Sequence, residues 1–222
     1  MRSLLLLILL IVQLHAFGQN ERTYEVSFEE RNNSISLVNK AFEKLNKGFV
    51  KESYPLIFKA IRSDSTSHRS YELLYRACMT DGNYSDSIVQ KFYLAKQIFG
   101  LDDEICFYIA ELYRMKNNFK NSISEYTKAI ELSKSNEEKS PIKMQYYSGR
   151  ALSYVKMNMI NEAISDYTIY LKEKPDDAII LTNRGVCYQK KGKDQLAIAD
   201  WKRSSELGNI TAKTYLKRMS QK

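Results

Sequence analysis

Residues 144–177, MQYYSGRALSYVKMNMINEAISDYTIYLKEKPDD, and residues 178–211, AIILTNRGVCYQKKGKDQLAIADWKRSSELGNIT, are two copies of one pattern. Tyr147, Arg150, Ala151, Tyr154, Ala163, Tyr167 and Pro175 recur 34 positions later as Leu181, Arg184, Gly185, Tyr188, Ala197, Trp201 and Asn209. A looser copy runs Cys106, Ala110, Tyr113, Phe119, Ser122, Tyr126 and Ala129. A small residue with an aromatic three positions on, then a second small residue ahead of another aromatic, describes two helices in contact. Gly or Ala lets the backbones approach, and the aromatics fill the space beside them. One such pair cannot bury its apolar face alone, so the pattern predicts a stack of helix pairs.

The first eighteen residues are of a different composition. Arg2 supplies a positive start, Leu4 to Val12 is unbroken aliphatic sequence, and Ala16-Phe17-Gly18 supplies small residues ahead of Gln19. These are the three parts of a secretory signal peptide, with an uncleaved N-terminal anchor as the alternative reading. The apolar run is shorter than the roughly 20 residues of a membrane span. No cysteine stands at or just after Gly18, so a lipid-bearing N-terminal Cys is unsupported. Nothing later is apolar long enough to re-enter a bilayer, so the mature chain from Gln19 is expected to be soluble, exported and without a transmembrane span.

The formal net charge of +8 mixes 34 Lys and Arg with 26 Asp and Glu, so the excess is modest. Lysines stand singly along the helices, often beside an acid, as in Glu137-Glu138-Lys139 and Lys172-Glu173-Lys174. With no arginine cluster, this reads as a solvated surface and excludes a nucleic-acid partner. Cys78, Cys106 and Cys187 are widely separated, with no metal-ligand spacing. Free buried thiols are one reading, and a Cys78–Cys106 bridge in an oxidising compartment is its rival. His68, in the polar stretch from Ser63 to Ser70, is the one histidine beyond the signal peptide. No cofactor and no metal site are expected.

The pattern resembles tetratricopeptide repeats, which place a large residue at position 4, small ones at 8 and 20, and aromatics at 11 and 24. Counting from Met144 and from Ala178 satisfies these positions at the 34-residue period. The copy from Asp103 has Ser122 where alanine belongs and about seven extra residues near Asn136 to Ile142. The copy near His68 keeps Tyr84, while the faintest, from Asn33, carries Pro55 inside its second helix, where a kink or shortening is expected. After Asn209 a last helix places Tyr215, Leu216 and Met219 inward as a cap. The end of the last pair also resembles a Sel1-like repeat, ending a helix at Gly208 and restarting near Ala212. The resemblance implies an all-α, right-handed α-solenoid of tetratricopeptide-type helix pairs with a C-terminal capping helix. Its parts are a signal peptide (1–18), a lead segment (19–32), repeats 33–67, 68–102, 103–143, 144–177 and 178–211, and the capping helix (212–222).

In that family the first helices line the inner curve. Carried over, the lining becomes Arg69, Glu72, Arg76 and Met79, then Glu104, Tyr108, Glu111 and Arg114. Gln145, Ser148, Leu152 and Val155 follow, then Ile179, Thr182, Val186 and Gln189. The curve is charged in its first half and mostly apolar in its second. The apolar strip either accepts an amphipathic helix or extended peptide, or packs against the cap. Some relatives grip a partner's terminal carboxylate with Lys and Asn. Asn183 matches their asparagine, with Lys213 and Lys217 at the basic positions, but Ser148 and Leu152 stand where Lys and Asn are required.

The acid pairs Asp102-Asp103, Glu137-Glu138 and Asp176-Asp177 fall at helix starts, where carboxylates complement exposed N–H groups. No Gly-rich phosphate loop, HExxH, serine elbow or Cys-His arrangement is present, so a non-enzymatic protein is expected. Of 16 tyrosines, Tyr108, Tyr71, Tyr75 and Tyr146 remain as platforms for a glycan, a minor reading. Two functions stay open. One is a scaffold or adaptor of the cell envelope, periplasmic or at the outer membrane, that holds a protein partner on the inner curve. The other is a structural or regulatory subunit docking through its N-terminal repeats or convex face. The short leucine-rich leader ending Phe17-Gly18-Gln19-Asn20 resembles those of Bacteroidetes envelope proteins.

Overall fold

The computed structural model describes residues 25–135 and 143–221. The signal peptide and the residues added near Asn136 to Ile142, with Glu137 and Glu138, lie outside them. The described residues are helical with no strand, and the chain divides after Leu73 into two compact units.

The first unit holds α1 (Phe28–Asn46), α2 (Val50–Ser63) and the start of α3 (His68–Asp81). Residues 28–32 of the lead segment are therefore already helical. Ser27 and Glu30 start α1 with a capping box: Ser27 Oγ accepts from the Glu30 N–H at 3.2 Å, and the Glu30 carboxylate accepts from the Ser27 N–H at 2.9 Å. Ser34, Val38, Ala41 and Leu45, at helical spacing, are the buried residues of α1, and Tyr54, Ile57, Ala60 and Ile61 are buried on α2. Ser34 Oγ closes the pair by donating to the Ala60 carbonyl at 3.1 Å. Pro55 is exposed, and α2 runs its full 14 residues through it. The expected shortening does not occur.

The second unit contains the rest of α3, then α4 (Asp86–Phe99), α5 (Asp103–Met115), α6 (Phe119–Ser135), α7 (Met144–Lys156), α8 (Ile160–Glu173), α9 (Ala178–Lys190), α10 (Asp194–Glu206) and α11 (Ile210–Met219). Helices α5 with α6, α7 with α8 and α9 with α10 form the pairs, and α6 with α7, α8 with α9 and α10 with α11 join them. Each of these first helices stops in the same way. One residue adopts a left-handed backbone, Asn117 (φ 59°), Asn158 (φ 58°) or Gly192 (φ 68°). The N–H after it then returns to a carbonyl five residues back: Asn118 to Tyr113 at 2.8 Å, Met159 to Tyr154 and Lys193 to Tyr188 at 2.9 Å. Two of the three acid pairs act as read: Asp102 and Asp177 cap α5 and α9 by accepting backbone N–H bonds.

Two glycines set how closely the helices approach. A Cβ at Gly185 would lie 2.5 Å from Nε1 of the fully buried Trp201, whose indole N–H donates to the Thr182 carbonyl at 3.2 Å. A Cβ at Gly149 would run into the Tyr126 hydroxyl. Cys78, Cys106 and Cys187 are free and buried, which decides against the Cys78–Cys106 bridge. Burial pushes their thiols up to about 12, 11 and 11 respectively, so they are packing residues with little thiolate character.

Candidate partner-binding surface

The surface of the second unit is built from the side chains of α5, α7 and α9 that pair packing leaves over. On α5, Arg114 Nη2 donates to Glu111 at 2.5 Å, and the Tyr126 hydroxyl donates to the same carboxylate. Glu111 is 8% exposed, so this acid is committed to an internal network. Burial first, and then the neighbouring Glu111 charge, push the Tyr126 phenol well above its usual value, keeping it a proton donor. Burial alone would weaken the Arg114 charge, but its bond to Glu111 outweighs that and raises its pKa.

Tyr108 is buried and stacks on Tyr75 with centroids 4.6 Å apart, so it lines no open surface. The residue at the family's position 5, counted from Asp103, is Phe107, which a strict count would have named. Phe107 is half-buried and touches the rings of Tyr75 and Tyr146 at 5.5 and 5.1 Å. Tyr71 and Tyr146 are fully buried as well. Three of the four aromatic platforms of the glycan reading are therefore core residues, and the fourth, Tyr75, is half-buried against Phe107 and Tyr108.

Glu104 is half-buried and ion-paired to Lys143. Arg76 and Met79 are half-buried on the second unit's part of α3, whereas Arg69 and Glu72 are exposed on the first unit. Gln145 and Leu152 are exposed and Ser148 half-buried on α7. Val155, by contrast, packs against the cluster containing Ala163, Tyr167 and Leu181. On α9, Ile179 is 65% exposed while Thr182 is buried, bonded to the Ala178 carbonyl at 2.8 Å and the Ser204 hydroxyl at 2.7 Å. Val186 packs against the cluster of Ala197, Trp201 and Ala212, and Gln189 reaches Met219 Sδ at 3.3 Å. The apolar strip thus divides. Val155 and Val186 are packing residues, and Leu152 and Ile179 are the part left open. Thr182 is removed from the candidate set because its hydroxyl is used in the core.

Asn183 is half-buried on α9. Lys213 and Lys217 line a groove together with Lys202 of α10, and Asn183 is not among its lining residues. The half-clamp suggested by sequence spacing is therefore divided between two places.

Behind this surface, an arginine–aspartate bridge repeats inside the last two helix pairs, and each arginine also reaches the pair before it. Arg150 makes two 2.8 Å bonds to Asp166 and one of 3.0 Å to Thr127 Oγ1. Arg184 makes two 2.8 Å bonds to Asp200 and one of 3.3 Å to Thr168 Oγ1. The hydrogen bonds that Arg184 donates to Asp200 raise its pKa. While each Arg–Asp pair ties the two helices of one repeat, the arginine's bond to Thr127 or Thr168 holds that repeat to the one before it. Among the described residues no group of three His, Cys, Asp or Glu side chains is placed to hold a metal ion, and no helix is long and apolar enough to cross a membrane.

The tetratricopeptide-repeat family model matches residues 103–136. The structure of a MamA protein superposes with a TM-score of 0.65 at 18% identity, covering 82% of this chain and 94% of that one. The fold is of the tetratricopeptide type. Pseudomonas aeruginosa PilF gives a TM-score of 0.68 at 10% identity, over 82% of this chain and 79% of its own. YrrB, described as a tetratricopeptide-repeat protein with an unusual peptide-binding site, gives 0.64 at 17% identity, over 86% of this chain and 94% of its own. Comparison with curated protein sequences finds no match. At these identities the likeness is one of fold, and the family match falls on the copy that departs from the stricter spacing of the two after it.

Proposed function

We propose that the protein is a non-enzymatic scaffold or adaptor of a bacterial cell envelope, exported by its N-terminal leader, and that the first helices of its second unit hold a peptide or helix of a protein partner. The observation that carries this reading is the pair of exposed aliphatic residues, Leu152 and Ile179, on successive first helices beside the exposed Gln145. A tetratricopeptide-type fold that leaves apolar side chains open at that place supports docking of an apolar anchor. The Bacteroidetes-like leader and the Sel1-like close of the last pair belong to the same proposal.

Crosslinking in intact source cells, followed by capture of the tagged chain, tests it. One dominant partner is expected, with crosslinks mapping to residues around Arg76 to Gln189. Leu152→Glu with Ile179→Glu should abolish its capture while leaving the circular-dichroism melt unchanged. Retention of the partner by this variant would overturn the reading.

A second reading is favoured by the first unit, where Phe28, Ile35 and Phe49 are 82%, 51% and 49% exposed. Docking through these N-terminal helices would survive the Leu152 and Ile179 substitutions and be lost on deleting residues 19–67.

A further inference from the structure

Helices α5, α7 and α9 are each followed by a second helix packed along them, whereas α11 is the last helix among the described residues and rests on α10. Between α10 and α11 lies an open groove of about 920 Å³. Its apolar lining is Ile198, Leu216 and Met219, with Ile210, 80% exposed, at the first turn of α11. Lys202, Lys213 and Lys217 also line it, all three exposed, and no acidic residue does. None of these lysines has an ion-pair partner among the described residues, whereas the neighbouring Arg203 of α10 is paired to Asp176 and Glu206. Lys202 also stands at the repeat position where Thr127 and Thr168 accept the arginine of the next pair.

We propose that this groove binds an amphipathic helix with acidic flanks, supplied by a protein partner. Three unpaired ammonium groups around one apolar trough repel one another, and carboxylates on an incoming chain relieve that repulsion. Lys213 and Lys217 lie one turn apart on α11, and Lys202 belongs to α10. The complementary chain therefore carries carboxylates one turn apart on one flank, at least one on the other, and aliphatic residues between. The ten residues of α11 offer a contact about 15 Å long, nearly three turns of such a helix. A phosphate backbone would meet the lysines but leave the aliphatic lining uncovered.

The test uses the full chain and two stapled helical peptides with the same leucine stripe, one with Glu flanks and one with Lys flanks, followed by fluorescence anisotropy. The Glu peptide is expected to bind, and to weaken as salt rises. K213E/K217E should cut its affinity about tenfold or more and transfer preference to the Lys peptide. Ile210→Asp, at an exposed position, should weaken both peptides with the melting curve unchanged. Equal binding of the two peptides, or Glu-peptide binding indifferent to K213E/K217E, overturns the proposal. Self-association in sedimentation that Ile210→Asp abolishes would assign the groove to a second copy and overturn the partner assignment. Binding to phosphatidylglycerol vesicles without peptide binding would assign it to a lipid surface, with the same consequence. The Leu152 and Ile179 variant leaves this groove intact, so either proposal can fail without the other.

Discussion

The third helix pair, α5 with α6, and the two pairs after it solve the same packing problem with different electrostatics. Ile109 occupies the position of Arg150 and Arg184, and Glu125 that of Asp166 and Asp200. Without an arginine beside it, Glu125 is neutralised by Lys96 at 2.5 Å and Lys128 at 2.9 Å. Tyr126 and Tyr167 share one position too, but the Tyr126 hydroxyl is bonded to Glu111 while the Tyr167 hydroxyl is buried without a partner. The small and aromatic positions are common to all three pairs, and the charged ones are not. Repeat spacing is therefore a statement about helix approach, and each pair settles its own buried charges.

Breaking the buried pair should give the largest effect. Arg150→Met leaves Asp166, 4% exposed, without its counterion and is expected to destabilise the protein by about 3–5 kcal/mol in urea unfolding. Adding Asp166→Leu should restore most of that loss, and a double variant as unstable as the single would show that the pair does more than neutralise itself. Gly185→Ala comes next, at about 2–3 kcal/mol, because Trp201 is fully buried and cannot retreat from the new methyl group. The helix propensity gained from alanine, about 1 kcal/mol, does not offset it.

The two tyrosines sharpen the contrast at a smaller scale. Tyr126→Phe removes a donor from a buried carboxylate and is expected to cost about 2 kcal/mol. Tyr167→Phe removes a hydroxyl that makes no bond and should be neutral or slightly stabilising, by less than about 1 kcal/mol. Equal losses at both sites would place a bound water on Tyr167.

The smallest expected effect is one of pH. Burial pushes the Glu125 carboxyl up, but hydrogen bonds from Lys96 and then Lys128 outweigh it and leave the pKa below its usual value. A lowered folded pKa gives stability that is present above the unfolded value and is lost as pH falls through the folded one. Glu125→Gln should therefore flatten the decline in melting temperature below about pH 5, and an unchanged slope would assign acid sensitivity elsewhere.

Helix pairs, their small-to-aromatic contacts and the acidic caps were legible from spacing because each depends on residues close in the chain or at a fixed repeat interval. The inner-curve list was only partly legible. Tyr108 and Thr182 carry polar groups at surface-like positions, yet Tyr75 and Ser204 arrive from other helices to cover them. Val155 and Val186 read as open aliphatic residues until the clusters of neighbouring helices fill the space beside them. Of the groove lysines, Lys213 and Lys217 were marked by their repeat positions, but Lys202 was not, since it stands on a different helix and joins them only where α11 lies against α10.

Periodicity alone specified which residues meet within a helix pair, because a 34-residue repeat returns the same side chains to the same contact. Which polar groups are consumed and which stay available was decided by the tertiary structure. A charge or hydroxyl is neutralised by whatever adjoining helices bring within about 3 Å, and repeat spacing does not encode that distance.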